Sequence, residues 1–113
     1  MPFVSFTTTK TLTLHQEVSL KKVTGELISI IPHKSEKSLM IHIEDNQVMY
    51  FRGEEIECMK VEVQLYHQAE LSYKKEFTEK LLKEIEKITQ IPVDNIYLTI
   101  EEYDHWGMNG QLI

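Results

Sequence analysis

The sequence predicts an α/β (α+β) fold. One β-α-β unit is used twice, giving a four-stranded mixed sheet with two helices on one face and short strands at the C-terminus. Three observations carry this. Segments with strand and helix patterning follow one another as strand, helix, strand, and then again as strand, helix, strand. The second half echoes the first at a fixed offset: "IED" at 43–45 meets "IEE" at 100–102, an offset of 57 (100 − 43), and "MYFRGEEI" at 49–56 meets "WGMNGQLI" at 106–113 at the same offset. Finally, 113 residues make one domain, 1–113, with pseudo-repeats at about 2–57 and 58–113. A chain of that length buries roughly 65% of its unfolded surface, enough for one core.

Each element has its own signal. "FVSFTTT" (3–9) is aromatic and β-branched, as strands are. Thr13 stands three residues before Gln16, the spacing of a capping box, and Leu20, Val23, Leu27, Ile30 and Ile31 then recur at helical spacing until Pro32 stops the run. "SLMIHIED" (38–45) puts Leu39, Ile41 and Ile43 on one strand face, and "VMYFRGEE" (48–55) reads as a short strand with a Gly turn. In "MKVEVQLY" (59–66), Val61, Val63 and Leu65 alternate with Lys60, Glu62 and Gln64. "SYKKEFTEKLLKEIEKI" (72–88) is an amphipathic helix with Phe77, Leu81, Ile85 and Ile88 as its stripe. After a turn at Pro92 and Asp94 come a strand, "NIYLTIEE" (95–102), and a Gly turn with a short closing strand in "HWGMNGQLI" (105–113).

The strands match at 57, but the helices match best at 54 ("KKVTGELI" at 21–28 with "KEFTEKLL" at 75–82), which implies compensating loop lengths. A helix crossing between two strands makes them parallel. With both helices on one face, the other face of the sheet is expected to be apolar and to be covered by further subunits, so the architecture predicts an oligomer.

Composition narrows the function. Eighteen acidic residues against 12 basic ones give a net charge of −6, which argues against nucleic acid as a partner but allows a small anion held by one local cation. The single cysteine, Cys58, permits no internal disulfide and is expected to be a small buried hydrophobe. Neither a signal-peptide pattern nor an apolar run long enough to cross a bilayer is present, so the cytoplasm is the expected compartment and no membrane partner is called for. The five histidines show no metal-ligand spacing, and no metal or cofactor is expected.

The chain begins Met1-Pro2. Proline is tolerated at the first residue of a strand. Once Met1 is removed, Pro2 is also a free secondary amine, a base built into the backbone. The duplicated β-α-β unit, Pro2 and the ending W-G-x-N-G together resemble the tautomerase superfamily, and within it the branch of macrophage migration inhibitory factor and phenylpyruvate tautomerases. The resemblance spans the whole chain. It implies a homotrimer with sites at the subunit boundaries and Pro2 as catalytic base. It further implies substrate-binding roles for Lys34, for the backbone N–H of Tyr66, for Tyr97 reaching in from the adjacent subunit, for Thr99 in place of a polar residue of the same strand, and for an apolar wall of Phe3, Trp106 and Met108. Two departures stand out. The family's Cys-x-x-Cys is here "CMKV", with Cys58 alone, and Arg52, the only arginine, reads as a solvated turn residue rather than part of an arginine pair.

The reaction so implied is keto–enol tautomerisation of a small anionic α-keto acid such as phenylpyruvate. An α-amine starts closer to neutrality than a lysine, and burial and a nearby cation lower its pKa further, toward the range where a general base works best. Two other classes fit the same scaffold: a non-catalytic trimeric binding protein, or a decarboxylase or hydratase of small unsaturated acids.

Overall fold

The computed structural model describes residues 1–113. The elements are β1 (Pro2–Thr8), α1 (Leu14–Leu27), β2 (Met40–Glu44), β3 (Met59–Tyr66), α2 (Leu71–Thr89), β4 (Ile96–Tyr103), β5 (Gly107–Met108) and β6 (Gln111–Leu112). The main sheet has the order β2-β1-β3-β4. β1 and β2 are parallel, β3 and β4 are parallel, and β1 meets β3 antiparallel at the centre. Two β-α-β units are thus joined back to back.

α1 starts where the capping box places it. The Thr13 hydroxyl accepts from the Gln16 N–H at 3.1 Å, and the Gln16 side chain accepts from the Thr13 N–H at 2.8 Å. The helix ends at Leu27, a 3₁₀ turn carries the chain to Ile30, and Pro32 lies beyond. α2 ends at Gln90, whose φ of +64° closes it in the left-handed conformation.

The offset of 54 for the helices is corrected by the structure to 57. α1 begins at Leu14 and α2 at Leu71, and the buried Leu20, Thr24 and Ile28 recur as Phe77, Leu81 and Ile85. The two offsets differ by three residues, close to one helical turn, so an amphipathic stripe slid by a turn nearly superimposes on itself. Burial distinguishes the two registers where letter similarity does not. The face that α1 buries is also not the one its large residues mark. Thr24 and Gly25 are on it, with the Thr24 hydroxyl donating to the Leu20 carbonyl at 2.7 Å, while Val23 and Leu27 are only half-buried.

The core lies between sheet and helices. Val4, Phe6, Val61, Val63 and Leu65 from the central strands meet Leu20, Ile28, Phe77, Leu81 and Ile85. Each such side chain contributes about 1.5–3 kcal/mol by leaving water. Cys58 is buried beside them.

Two expectations fail. The segment 48–55 is not a strand: it has one isolated bridge, Phe51 to Glu54, around a turn at Arg52 and Gly53. Its counterpart in the second half does form the β5–β6 hairpin, with Met108 opposite Gln111. Val48 and Tyr50 find no partner and stay exposed. The free face of the sheet is not apolar either. Its cross-strand rows read Met40–Phe3–Gln64–Glu101, His42–Ser5–Glu62–Thr99 and Glu44–Thr7–Lys60–Tyr97. Strand alternation sends every second residue of β3 to this face, and those residues are Lys60, Glu62 and Gln64. A contact across such a face has to satisfy polar groups as well as bury apolar ones.

Candidate active site

The open end of the β1–β3 pair gathers the N-terminus. β1 starts at Pro2, which is buried and lies opposite Leu65. The Tyr66 N–H donates to the Met1 carbonyl at 3.3 Å, and the Lys34 Nζ donates to the Tyr66 carbonyl at 2.6 Å. Lys34 reaches this point from the bend after α1, where His33 adopts a φ of +68°.

The α-amine of Met1 and Lys34 face each other, and both pKa values are lowered. Burial pulls the amine below its ordinary value, and the charge of Lys34 and a hydrogen bond from it push the same way. Burial pulls Lys34 below the usual lysine range, while its bond to the amine and the charge of Glu102 push partly back. A lysine depressed by burial costs stability whenever it is protonated. A cation kept under those terms, beside an amine, in a cleft, makes this corner a candidate functional site.

A cavity of about 610 Å³ opens beside Pro2, and Met1, Phe3, Trp106 and Met108 are among its walls. Lys34 and Tyr66 line an adjoining cavity of about 440 Å³. Met1 and its bond to Tyr66 stand between the two. The wall is aromatic: the Trp106 ring lies 6.1 Å from Tyr103 and 6.5 Å from Tyr66, and Tyr66 lies 3.7 Å from His67. The Tyr103 pKa is raised by loss of solvent and by the bond to and charge of Glu101, with Glu62 adding to it. A wider groove of about 630 Å³ lies along β2, over Leu14, Val18, Leu39, Ile41 and Ile43, away from the amine.

Pro2, Phe3, Lys34, Tyr66, Trp106 and Met108 therefore come together within one chain. Tyr97 and Thr99 do not. Tyr97 lies in register with Lys60 while Pro2 lies in register with Leu65, five residues along β3, or about 16 Å. Tyr97 is 62% exposed and packs edge-on against Phe51 at 5.2 Å.

Other residues belong to the site that the sequence reading passed over. Gln64 and Tyr103 line the Pro2 cavity, and alternation along β3 and β4 from Tyr66 would have placed them. Glu102 lies in the row Pro2–Leu65–Glu102; its carboxylate accepts from the Ala69 N–H at 2.6 Å and from Lys74 at 3.0 Å. Burial raises the Glu102 pKa, but those two bonds and the charges of Lys74 and Lys34 more than reverse it, leaving the value lowered. No three His, Cys, Asp or Glu side chains converge as metal ligands.

No protein-family model matches this sequence, and no curated protein matches it. Solved structures do. Leishmania major MIF2 superposes with a TM-score of 0.92 at 24% identity, covering 100% of this chain and 97% of that one. A macrophage migration inhibitory factor homologue from Prochlorococcus marinus gives 0.87 at 24% identity, covering 97% of each. The chain has the fold of the tautomerase superfamily. A fused 4-OT described as a symmetric trimer shares it too, with a TM-score of 0.86 at 13% identity over 95% of this chain and 93% of that one. At these identities the likeness is one of fold, and the chemistry rests on the residues. No helix is long and apolar enough to cross a membrane.

Proposed function

We propose that this protein is a keto–enol tautomerase of small α-keto acids such as phenylpyruvate, with the Pro2 amine as general base after removal of Met1. The observation that carries the reading is that Lys34, bonded to the Tyr66 carbonyl and half-buried, meets the α-amine of Met1, the residue before Pro2, while Pro2 lines an aromatic cavity. Without Met1, the Tyr66 N–H loses its acceptor and Lys34 loses the Met1 amine as its neighbour, which frees both for substrate. The substrate carboxylate then pairs with Lys34, and the enolate oxygen takes a backbone donor. The proton alpha to the ketone passes to Pro2, which returns it to the enolate oxygen to give the enol, and Phe3, Trp106 and Met108 enclose the tail. One donor to the enolate is worth roughly 100- to 1,000-fold in rate.

Tyr97 and Thr99 join this site only from a second copy of the chain. That is the reason to propose a homotrimer, and the shared fold with a symmetric trimer supports it. The test is the enol–keto conversion of phenylpyruvate, run beside the intact mass of the chain. Met1-free protein is expected to be active and Pro2→Ala to lose at least 100-fold. A Pro2→Ala rate equal to that of the parent chain would discard the assignment.

A further inference from the structure

The carboxylate of Glu102 does two things that can be separated by comparing the halves of the fold. Its bond to the Ala69 N–H has a twin: at the same offset of 57, Asp45 accepts from the Leu12 N–H at 2.8 Å. Both carboxylates tie down the loop that leads from a strand into a helix. That role is scaffold, and it needs no lysine. At the Asp45 end the position matching Lys74 is Glu17, and the one matching Lys34 is Ile91. Only at the Glu102 end does the carboxylate pair with a lysine, Lys74 at 3.0 Å, both side chains 19% exposed, and its other partner, Ala69, lines the same cavity as Lys34.

Resting on the tautomerase reading above, we propose that Glu102, braced by Lys74, is a positioning residue that sets the electrostatic field in which Lys34 and the N-terminal amine act. Lys34 contributes one positive charge to a crowded corner that must also hold an amine and receive an anion. A bare carboxylate there would neutralise Lys34 and repel the substrate. Capped by Lys74, Glu102 holds Lys34 in its charged form without cancelling it. The other titratable groups around Lys34 are His33, His67, Tyr66, Tyr73 and Glu70 on the walls of its cavity. None of them bonds to Glu102, whose side-chain partners are Ala69 and Lys74.

The two partners have opposite signs, and that gives the test. Glu102→Gln and Lys74→Met both break the same bridge. A purely structural bridge makes them behave alike. The proposed role makes them diverge: Glu102→Gln removes a negative charge and lowers the pKa of both amines, moving the pH profile of kcat/KM to lower pH, whereas Lys74→Met removes a positive charge and moves it up. Each displacement is expected to be about half a pH unit. The pKa of the Pro2 amine, read by nitrogen NMR on Met1-free protein, must move in the same two directions. That measurement needs no turnover, so it stands even where the tautomerase reading fails. Shifts of the same sign in the two variants, or none, overturn the proposal. Should Glu102→Gln not fold, an upward shift in Lys74→Met supports the role and an unmoved one defeats it.

Discussion

The two ends of the β1–β3 pair are one corner built twice, and they have been put to different uses. At one end β1 begins at Pro2, and the Tyr66 N–H donates to the Met1 carbonyl; at the other β3 begins at Met59, and the Thr9 N–H donates to the Cys58 carbonyl, also at 3.3 Å. Each corner has its loop-anchoring carboxylate, Glu102 or Asp45. What differs is side chains. The first corner has a chain end, Lys34 and an open cavity; the second has a continuous chain, the fully buried Ile91, and Thr8 and Thr9 hydroxyls bonded to Cys58. What the corners share is what folding requires. What only the first has, Lys34 and an open cavity, is what the proposed function uses.

The largest effect comes from making the first corner resemble the second. Lys34→Ile is expected to lower kcat/KM for phenylpyruvate by roughly 100- to 1,000-fold. Its melting temperature should be unchanged or higher, because replacing a partly buried charge by an apolar residue is often neutral or stabilising. The reverse change, Ile91→Lys, puts a charge into a site with no partner and should cost several kcal/mol in denaturant unfolding. If Lys34→Ile destabilised the fold while sparing turnover, the lysine would be a scaffold residue and the contrast between corners would collapse.

A smaller effect separates the two carboxylates. Asp45→Asn and Glu102→Gln each weaken a charge-assisted bond to a backbone N–H and should each cost about 1–2 kcal/mol at neutral pH. For Glu102 acid supplies a further test. The Glu102 pKa is lowered in the folded state, so its contribution is present above the ordinary glutamate range and is lost as pH falls through the lowered value. Unfolding curves between pH 6 and pH 3 should therefore converge for Glu102→Gln and the parent chain as acid is added. Curves that stay parallel would mean that this carboxylate is not ionically held.

Much of this was legible in the letters, and the failures have a common cause. Thr13 and Gln16 marked a helix start that a local bond explains, and alternation in "MKVEVQLY" gave both faces of β3. Pro2, Lys34 and the Trp106–Met108 wall were found through resemblance to a family, and the fold then brought them together. Long-range geometry was hidden. The register of α1 depended on the burial of Thr24 and Gly25, which carry no apolar signal. Glu102 and Lys74 looked like ordinary surface charges, because nothing in a sequence shows that a strand end and a helix start approach within 3.0 Å. The separation of Tyr97 from Pro2 follows only from strand order.

The smallest effect concerns the two turns. Arg52-Gly53 and Asn109-Gly110 are again the same turn twice, with φ of +56° and +77° in one and +54° and +77° in the other. Positive φ at both central residues is the type I′ pattern, for which Asn-Gly is the preferred pair. Arginine is a poor choice there, since a left-handed residue other than Gly, Asn or Asp costs about 1 kcal/mol. Arg52 is exposed, as expected, yet it is engaged. Its Nη2 donates to the Asp94 carbonyl at 3.1 Å, and its guanidinium lies 4.7 Å from the Phe51 ring centre. A cation over a half-buried ring near the surface contributes about 0.5–1 kcal/mol, which offsets the backbone cost. Arg52→Asn should therefore change unfolding free energy by less than about 0.5 kcal/mol, relief of strain cancelling the lost contacts. Asn109→Arg adds the strain at a turn whose first residue is Met108 rather than an aromatic, and should cost about 1 kcal/mol. Equal responses from the two turns would show that the arginine's contacts with Phe51 and Asp94 contribute nothing, and that the first turn is simply the more strained copy.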